Sequence, residues 1–286
     1  MNVSLPPKMQ TVNAWLKNAI SELNNSNIKS ASLDAELILA STLRKDRTYL
    51  HAHDNEVISS RFLQIADARV ALRKDHVPLA YILGLKDFYG RQFKVTPAVL
   101  VPRPESEQFI ETLKDLMPKN ESLFDSQITL VDVGTGSGVL GITAKLEFPE
   151  INVTLLDIDR HALNIAKENA TRLEADVRQD TSNLLGSYYG KADFILANLP
   201  YVNKDWNSPY LLELGHEPEI ALYANDDGLQ FIKRIIIETK HKLNKGGFLL
   251  IESDIRQQAD IRRFARDNGY EVERTDGLIT TLGFRN

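Results

Sequence analysis

The chain has 286 residues and no cysteine. The absence of cysteine excludes disulfides, thiolate nucleophiles and zinc sites that are built from thiolates. The chain also has no apolar run near the roughly 20 residues that cross a bilayer. Its first residues lack the basic segment and the apolar core of a secretory signal. We therefore expect a globular protein of the cytoplasm.

A surplus of basic residues is missing as well. Lys and Arg number 34 against 39 Asp and Glu, which gives a formal net charge of −5 at pH 7. Proteins that act mainly on nucleic acid usually carry a basic surplus or stripe that neutralises phosphates. The acidic balance therefore argues against nucleic acid as the main substrate.

The residues that are present divide the chain into three predicted regions. Residues 1–75 show apolar side chains at helical spacing, for example Trp15 and Leu37, which predicts a small helical bundle. Residues 76–104 are aromatic, β-branched and punctuated by glycines, which predicts a β-hairpin followed by a proline-rich linker. Residues 105–286 form the third region.

The third region alternates short buried strands with helices. Repeated βα units predict a mostly parallel, doubly wound sheet with helices on both faces, which is an α/β fold of the Rossmann-like type. The predicted strands are 128–133, 153–156, 194–197, 247–251, 270–272 and 279–284, and the predicted helices are 139–147, 161–172, 228–243 and 255–268.

A glycine-rich loop follows the first predicted strand of this sheet. Glycines let a backbone approach a ligand closely, and the helix after the loop presents free N–H groups at its N-terminus. Asp132 precedes the loop and either holds it or approaches the ligand. The residues predicted to bind a nucleotide-like cofactor here are Gly134, Thr135, Gly136, Ser137 and Gly138.

Two further polar residues are expected at the same site. Asp157 closes the next strand, where an acid accepts hydrogen bonds from ribose hydroxyls in Rossmann folds. Ser182 follows the next strand region, where it would face an adenine ring or cap a polar turn. The form Asp-x-Gly-Thr-Gly-Ser-Gly resembles the first motif of class I S-adenosylmethionine-dependent methyltransferases. This resemblance implies S-adenosyl-L-methionine as the methyl donor.

The segment Asn198-Leu199-Pro200-Tyr201 follows an apolar strand and suits the methylation of a planar NH2 group. The Asn198 Oδ1 oxygen and the Leu199 carbonyl oxygen can each accept a hydrogen from that NH2 group. The Tyr201 ring can stack on its flat face. Pro200 biases Leu199 to extended backbone. The motif alone fits a carboxamide and an adenine equally well.

Further motifs extend along nearly the whole chain. They occupy residues 77–84, 88–95, 99–105, 132–138, 198–201, 217–222 and 227–229. Together they resemble the HemK/PrmC family, whose members are peptide chain release factor glutamine methyltransferases. The corner Pro102-Arg103-Pro104-Glu105 and the early hairpin are the specific part, whereas the glycine loop is shared with very many methyltransferases.

The resemblance implies a methyl transfer to the side-chain amide nitrogen of the glutamine in the Gly-Gly-Gln motif of class 1 release factors. It implies that residues 134–138, Asp157, Ser182 and Asn198 contact the donor, and that residues 198–201 bind the glutamine. The helical region and the hairpin would dock the release factor. Arg103 and Glu105 would orient the hairpin or pair with each other. We expect a monomer.

Leu199 departs from the family, which usually has Asn-Pro-Pro-Tyr, and Ser182 stands where an aromatic residue is common. Asn-Leu-Pro-Tyr is the form found in ribosomal RNA adenine dimethyltransferases, so methylation of an RNA or DNA adenine amino group is the main alternative. Those enzymes lack the leading helical region and the Pro-Arg-Pro-Glu corner. A ribosomal protein L3 glutamine methyltransferase is a nearer alternative. A donor-binding adaptor without activity would need a damaged donor loop, and this loop is intact.

Overall fold

A computed structural model describes residues 10–117, 128–206 and 211–284. The described residues form two compact units. One comprises those up to Gly84 together with Leu212–His216, and the other comprises those of Leu85–Leu211 and Glu217–Asn286. Within these ranges no helix is long and apolar enough to cross a membrane. The expectation that no secretory signal is present concerns residues outside the described ranges.

The first unit is helical, as the spacing of its apolar residues predicts, and buried side chains from its helices form one core. Its longest helix begins at Ser60 and not earlier, because Val57–Ile58 pairs as a short strand with Gln10–Thr11. Its elements are β1 (Gln10–Thr11), α1 (Val12–Asn25), α2 (Ala31–Leu43), α3 (Arg47–Ala52), β2 (Val57–Ile58), α4 (Ser60–Lys74) and α5 (Leu79–Leu83).

The helix α5 corrects part of the predicted hairpin. The apolar run at 79–83 was expected to be extended, but it forms a short helix that begins after Pro78 and ends at Gly84. Gly84 has the left-handed φ of 74° that commonly closes a helix. The hairpin pattern failed here because a short apolar run has the same appearance in a helix and in a strand.

The hairpin itself consists of β3 (Leu85–Phe88) and β4 (Arg91–Lys94), which pair antiparallel. Residues 89–90 turn the chain with φ values of 50° and 71°, the positive values that a tight hairpin turn requires. The backbone N–H of Lys94 donates to Asn169 Oδ1 at 2.7 Å, and Asn169 Nδ2 donates back to the Lys94 carbonyl at 2.9 Å. The hairpin is thereby fixed to the rest of the second unit.

A seven-stranded sheet forms the centre of the second unit. The elements of the second unit are α6 (Gln108–Leu116), β5 (Thr129–Val133), α7 (Val139–Glu147), β6 (Asn152–Asp157), α8 (Arg160–Arg172), β7 (Arg178–Thr181), β8 (Ala192–Ala197), α10 (Glu219–Leu222), α11 (Gln230–Thr239), β9 (Leu243–Glu252), α12 (Gln258–Asp267), β10 (Tyr270–Asp276) and β11 (Ile279–Phe284). The short helix α9 (Leu211–Leu214) belongs from Leu212 onward to the first unit. The strand order is β10-β11-β9-β8-β5-β6-β7, and β11 alone runs antiparallel to the other six strands of this sheet.

Both faces of the sheet are buried, which confirms the predicted Rossmann-like fold. Along β8 the side chains of Ile195 and Ala197 enter one apolar cluster, whereas those of Phe194 and Leu196 enter another. Successive side chains of a strand point to opposite faces, so the two clusters lie on opposite sides of the sheet. This explains why the predicted central strands are continuous apolar runs.

Some element boundaries differ from the prediction. The strand β9 begins at Leu243 rather than at 247, because Gly246, with φ 77°, lets the backbone continue through the glycine pair. The helix α11 is shorter than the predicted 228–243 and begins at Gln230. Gly228 cannot start it, since its φ of 82° is not helical.

Candidate active site

The register of the sheet brings four chain segments to one edge. Val133 pairs with Ala197 and with Leu156, and Ala197 pairs with Ile251. The residues that follow these positions are Gly134, Asp157, Asn198 and Glu252. The strand order reverses at β5, which has β6 on one side and β8 on the other. Open α/β sheets bind ligands at such a switch point, beyond the carboxyl ends of the strands.

The side chain of Asp132 holds the donor loop, residues 134–138, through hydrogen bonds. The Asp132 Oδ2 oxygen accepts from Thr135 Oγ1 at 2.6 Å and from the Gly141 N–H at 2.9 Å. Asp132 is only 1% exposed, and burial raises the pKa of its carboxyl from 3.8 to about 6. Of the two roles expected for Asp132, its contacts supply the one that holds the loop.

Asp157 fixes the loop from the neighbouring strand. Its Oδ2 oxygen accepts from the Gly136 N–H at 2.8 Å, and its Oδ1 oxygen accepts from the Asp159 N–H at 2.9 Å. Burial raises the pKa of Asp157. A carboxylate has about four acceptor positions, so acceptor capacity remains for a ligand.

A cavity of about 200 Å³ opens at this edge of the sheet. Most of the predicted site residues line this cavity, together with several apolar side chains, including that of Phe231. The predicted residues that line it are Gly134, Thr135, Gly136, Ser137, Asp157, Ser182, Asn198, Leu199 and Pro200. Ser182 is buried, its backbone N–H donates to the Asp157 carbonyl at 2.9 Å, and its Oγ accepts from the Ser187 N–H at 3.0 Å.

Gly138 and Tyr201 are predicted site residues outside the described lining of this cavity. Gly138 has a φ of 84°, and a Cβ built on it would lie 2.6 Å from Ile142 Cδ1 and 3.2 Å from Ala166 Cβ. Its glycine therefore allows α7 and α8 to pack closely. Tyr201 packs against an apolar cluster of the sheet.

The acceptor loop, residues 198–201, is held by side chains that are distant in sequence. Asn198 Nδ2 donates to Ser106 Oγ at 3.1 Å, and Ser106 Oγ donates to Glu252 Oε2 at 2.5 Å. The Tyr201 hydroxyl donates to Glu252 Oε1 at 3.1 Å. In the described part of the chain, Asn198 Oδ1 has no hydrogen-bond partner. Asn198 thus keeps one acceptor at the cavity.

The backbone of Tyr201 is held just as closely. Gln257 Nε2 donates to the Tyr201 carbonyl at 2.9 Å and to the Asp227 carbonyl at 2.7 Å. A Cβ on Gly228 would lie 2.0 Å from the Tyr201 carbonyl oxygen. The motif at residues 227–229 therefore has a structural reason, because only glycine leaves room for the acceptor loop.

Leu199 joins the two loops. Its side chain is 4% exposed, and a Cβ built on Gly134 would lie 2.9 Å from Leu199 Cδ2. The Leu199 side chain therefore packs on the first glycine of the donor loop. The leucine that departs from the usual proline shapes the cavity between donor and acceptor.

The proline-rich corner lies beside the cavity, and Pro102, Arg103 and Ser106 line it. Arg103 forms an ion pair with Glu217 rather than with Glu105. The Glu217 Oε2 oxygen also accepts from the Val101 N–H at 3.0 Å. A contact from a distant motif thus takes the place of a pairing within the corner, which was one of the two alternatives, and it fixes the corner at the site.

Sequence reasoning missed four residues of the site: Ser106, Glu252, Phe231 and Arg234. Glu252 had a usable signal, since an acid directly follows a buried apolar strand, as Asp157 does after its own strand. Ser106 follows the corner, and no pattern in the sequence identifies it as a site residue. Phe231 and Arg234 lie on the amphipathic helix α11, where a cavity-facing residue has the same pattern as a core residue.

The fold and the site together define a class of protein. A Rossmann-like sheet with a glycine loop after β5, an acid after β6 and Asn-x-Pro-Tyr after β8 is the arrangement of a methyltransferase that acts on a planar nitrogen. The loop and the acid suit a nucleotide-like donor, and the amide of Asn198 suits an NH2 group.

Comparisons with known proteins narrow this class. The profile of the PrmC N-terminal domain matches residues 14–84, and that of the methyltransferase small domain matches residues 107–213. A release factor glutamine methyltransferase of Koribacter versatilis is 34% identical over 90% of this chain and 91% of its own. One of Coxiella burnetii is 36% identical over 92% of both chains. The chain belongs to the release factor glutamine methyltransferase family.

A solved structure supports the fold. A methyltransferase from Pyrococcus furiosus aligns with a TM-score of 0.50 at 20% identity, over 77% of this chain and 98% of its own. At that identity the likeness concerns the fold alone. Family membership favours a protein glutamine over the adenine that Leu199 alone left open.

Proposed function

We propose that this protein methylates the side-chain amide nitrogen of the glutamine in the Gly-Gly-Gln motif of class 1 peptide chain release factors, with S-adenosyl-L-methionine as the methyl donor. The observation that carries the proposal is the state of Asn198. Asn198 lines the cavity, its Nδ2 is bound to Ser106, and its Oδ1 has no partner among the described residues. An acceptor of this kind can bind one hydrogen of a carboxamide NH2 group.

The cavity fits the donor. Gly134 and Gly136 have φ values of 71° and 56°, and a Cβ on Gly136 would meet no atom within 4 Å, so the loop leaves open space that a ligand can enter. Asp157 would accept hydrogen bonds from ribose hydroxyls. Residues 134–137 and Ser182 would line the rest. When bound, S-adenosyl-L-methionine supplies an electrophilic methyl group and leaves as S-adenosyl-L-homocysteine.

The acceptor loop would align the glutamine. An amide nitrogen is a poor nucleophile because its lone pair is delocalised, and no side chain deprotonates it near neutral pH. Asn198 Oδ1 and the Leu199 carbonyl would hold the two N–H groups, so that the nitrogen meets the methyl group in line. Proximity and alignment contribute about 7–11 kcal/mol in favourable cases. After transfer, the nitrogen loses one proton to solvent.

In this proposal Tyr201 anchors the acceptor loop. Its hydroxyl is bound to Glu252 and its carbonyl to Gln257. Stacking of its ring on the glutamine, as the motif suggests, remains a prediction that requires the ring to reach the cavity. The helical unit and the hairpin would dock the release factor, and the protein would act as a cytoplasmic monomer without nucleic acid as its main substrate.

The test is a comparison of substrates. Purified protein is incubated with labelled donor and a class 1 release factor, with the same factor carrying Ala in place of the Gly-Gly-Gln glutamine, and with ribosomal RNA. We expect label on the first factor only. Label on the RNA and none on the release factor would contradict the proposal and favour the adenine alternative that Asn-Leu-Pro-Tyr raises.

A further inference from the structure

Glu252 is a buried acid that the proposed donor and acceptor contacts do not use. It ends β9 and is 1% exposed. Burial raises its pKa, and hydrogen bonds from Ser106, Tyr201 and Asn198 oppose that rise. Burying a carboxylate is unfavourable unless hydrogen bonds compensate it. The hydrogen bonds that Glu252 accepts at the acceptor loop are therefore the feature to explain.

The direction of each hydrogen bond around Glu252 is fixed by chemistry. An ionised carboxylate only accepts, so the Ser106 hydroxyl and the Tyr201 hydroxyl must both donate to it. Because the only hydrogen of the Ser106 hydroxyl is directed at Glu252, Ser106 Oγ can act towards Asn198 only as a hydrogen-bond acceptor. The atom of Asn198 that faces Ser106 must therefore be Nδ2, which is the arrangement found, at 3.1 Å.

We propose that Glu252 and Ser106 are positioning residues that set the orientation of the Asn198 amide and thereby aim its Oδ1 oxygen at the substrate NH2 group. This inference rests on the proposed function, in which Asn198 accepts a hydrogen from a carboxamide. An amide has nearly the same shape when its oxygen and nitrogen are exchanged, so packing alone does not select one orientation. The hydrogen-bond chain from Glu252 does select it.

Loss of the acceptor at position 252 removes this selection. With Glu252→Met, a side chain of similar length that does not replace the carboxylate as acceptor, the Ser106 hydrogen becomes free to turn towards Asn198. The amide can then rotate, present Nδ2 to the cavity and set a donor against the N–H groups of the substrate. Glu252→Gln keeps one acceptor oxygen and so preserves the direction in part.

The experiment measures turnover, binding and stability together. We expect Glu252→Met to lower kcat about 10²-fold, as misplacement of an aligning group does, and Glu252→Gln to recover part of the loss. The donor Kd from calorimetry should stay within about twofold. The melting temperature of Glu252→Met should fall, because two hydroxyl donors lose their acceptor, but the protein should stay folded. A purely structural role would lower donor affinity together with turnover.

Ser253→Ala is the matched control. Ser253 neighbours Glu252, is fully buried, and its hydroxyl has no partner among the described residues. Its removal should leave kcat unchanged. If Glu252→Met retains the turnover of the unaltered protein, or if its donor Kd weakens as much as kcat falls, the inference is wrong.

A second readout does not depend on the substrate. The Asn198 side-chain amide hydrogens should show slow solvent exchange by NMR in the unaltered protein and in Ser253→Ala. The protection should be lost in Glu252→Met and in Ser106→Ala. If the unaltered protein methylates no release factor, the proposed function fails, whereas this exchange still decides the inference. Equal protection in all four proteins would overturn it.

Discussion

The donor loop and the acceptor loop leave neighbouring strands of one sheet, but they are held in different ways. The donor loop is held by contacts that are closer along the chain, since Asp132 binds residues three and nine positions away and Asp157 binds Gly136, 21 positions away. The acceptor loop is held by residues that are distant along the sequence. Asn198 is 92 residues from Ser106, and Tyr201 is 51 residues from Glu252 and 56 from Gln257.

This difference shows what each loop must do. The donor loop binds one constant ligand, so a local turn of glycines and a buried acid suffice. The acceptor loop must orient a single amide, and one amide orientation needs partners that are themselves oriented. Those partners come from the proline-rich corner and from β9, so the acceptor side depends on the assembled fold.

The first test of this difference removes the hydrogen-bond acceptor of the acceptor loop, the Asn198 side chain. We expect Asn198→Ala to lower kcat about 10²–10³-fold, the loss seen when one group that stabilises a reacting centre is removed. Donor affinity should change little, because the donor loop keeps its own contacts. Activity assays and calorimetry measure both. Asn244→Ala, which removes the same side chain from its bond to Asp193, is the control. An undiminished kcat in Asn198→Ala would take Asn198 out of the mechanism.

The second test introduces a larger side chain into the donor loop. Gly136→Val places a branched side chain where the loop lines the cavity, so the donor Kd should rise roughly 5–160-fold, the equivalent of the 1–3 kcal/mol that overpacking costs. Gly277→Val is a close match, because its φ of 57° equals the 56° of Gly136 within a degree and its Cβ also meets no atom within 4 Å.

Both glycine variants should therefore lose similar stability, and only Gly136→Val should lose donor affinity. Calorimetry with S-adenosyl-L-homocysteine and thermal melts separate the two effects. Equal donor affinity in the two variants would show that the cavity at Gly136 is not the donor site.

The contrast between local and distant contacts also explains how far the sequence could predict this protein. The central strands were predictable because they are buried on both faces and read as apolar runs. The donor loop was predictable because its glycines and Asp132 are contiguous. The strand β7 (Arg178–Thr181) was expected only as a strand region before Ser182, without bounds, since an edge strand with exposed polar side chains carries no such pattern.

The support of the acceptor loop could not be predicted for a different reason. Ser106 and Glu252 are 146 residues apart and meet only because β9 lies beside β8 and the corner lies over both strand ends. No local pattern in the sequence contains that contact. The pairing of Arg103 with Glu217, 114 residues away, was not predicted for the same reason.

A third test separates the side chain of Leu199 from its carbonyl. Leu199→Ala keeps the carbonyl but removes the packing on Gly134, so unfolding free energy should fall by about 2–5 kcal/mol, while kcat should fall less than tenfold. Leu282→Ala, in the same apolar cluster and fully buried, should lose similar stability. Urea unfolding and steady-state assays measure the two. A loss of turnover as large as that of Asn198→Ala would mean that the side chain, not the carbonyl, aligns the substrate.

The last test concerns the buried carboxyl group of Asp132, which holds the donor loop. The pKa of Asp132 is raised from 3.8 to about 6, so the folded state binds this proton more tightly than the unfolded state does. The resulting stabilisation is complete below about pH 3.8 and is lost as pH rises through about 6. Asp132→Asn cannot titrate, yet its amide oxygen can still accept from Thr135 and Gly141.

The unfolding free energy of the unaltered protein, relative to that of Asp132→Asn, should therefore fall by about 2 kcal/mol between about pH 4.5 and about pH 7.5. Urea unfolding at several pH values measures it, with the surface variant Asp260→Asn as the baseline. A difference that stays constant or grows with pH would show that Asp132 is not held as a buried, weakly compensated carboxylate. The donor loop would then depend on longer-range support, as the acceptor loop does.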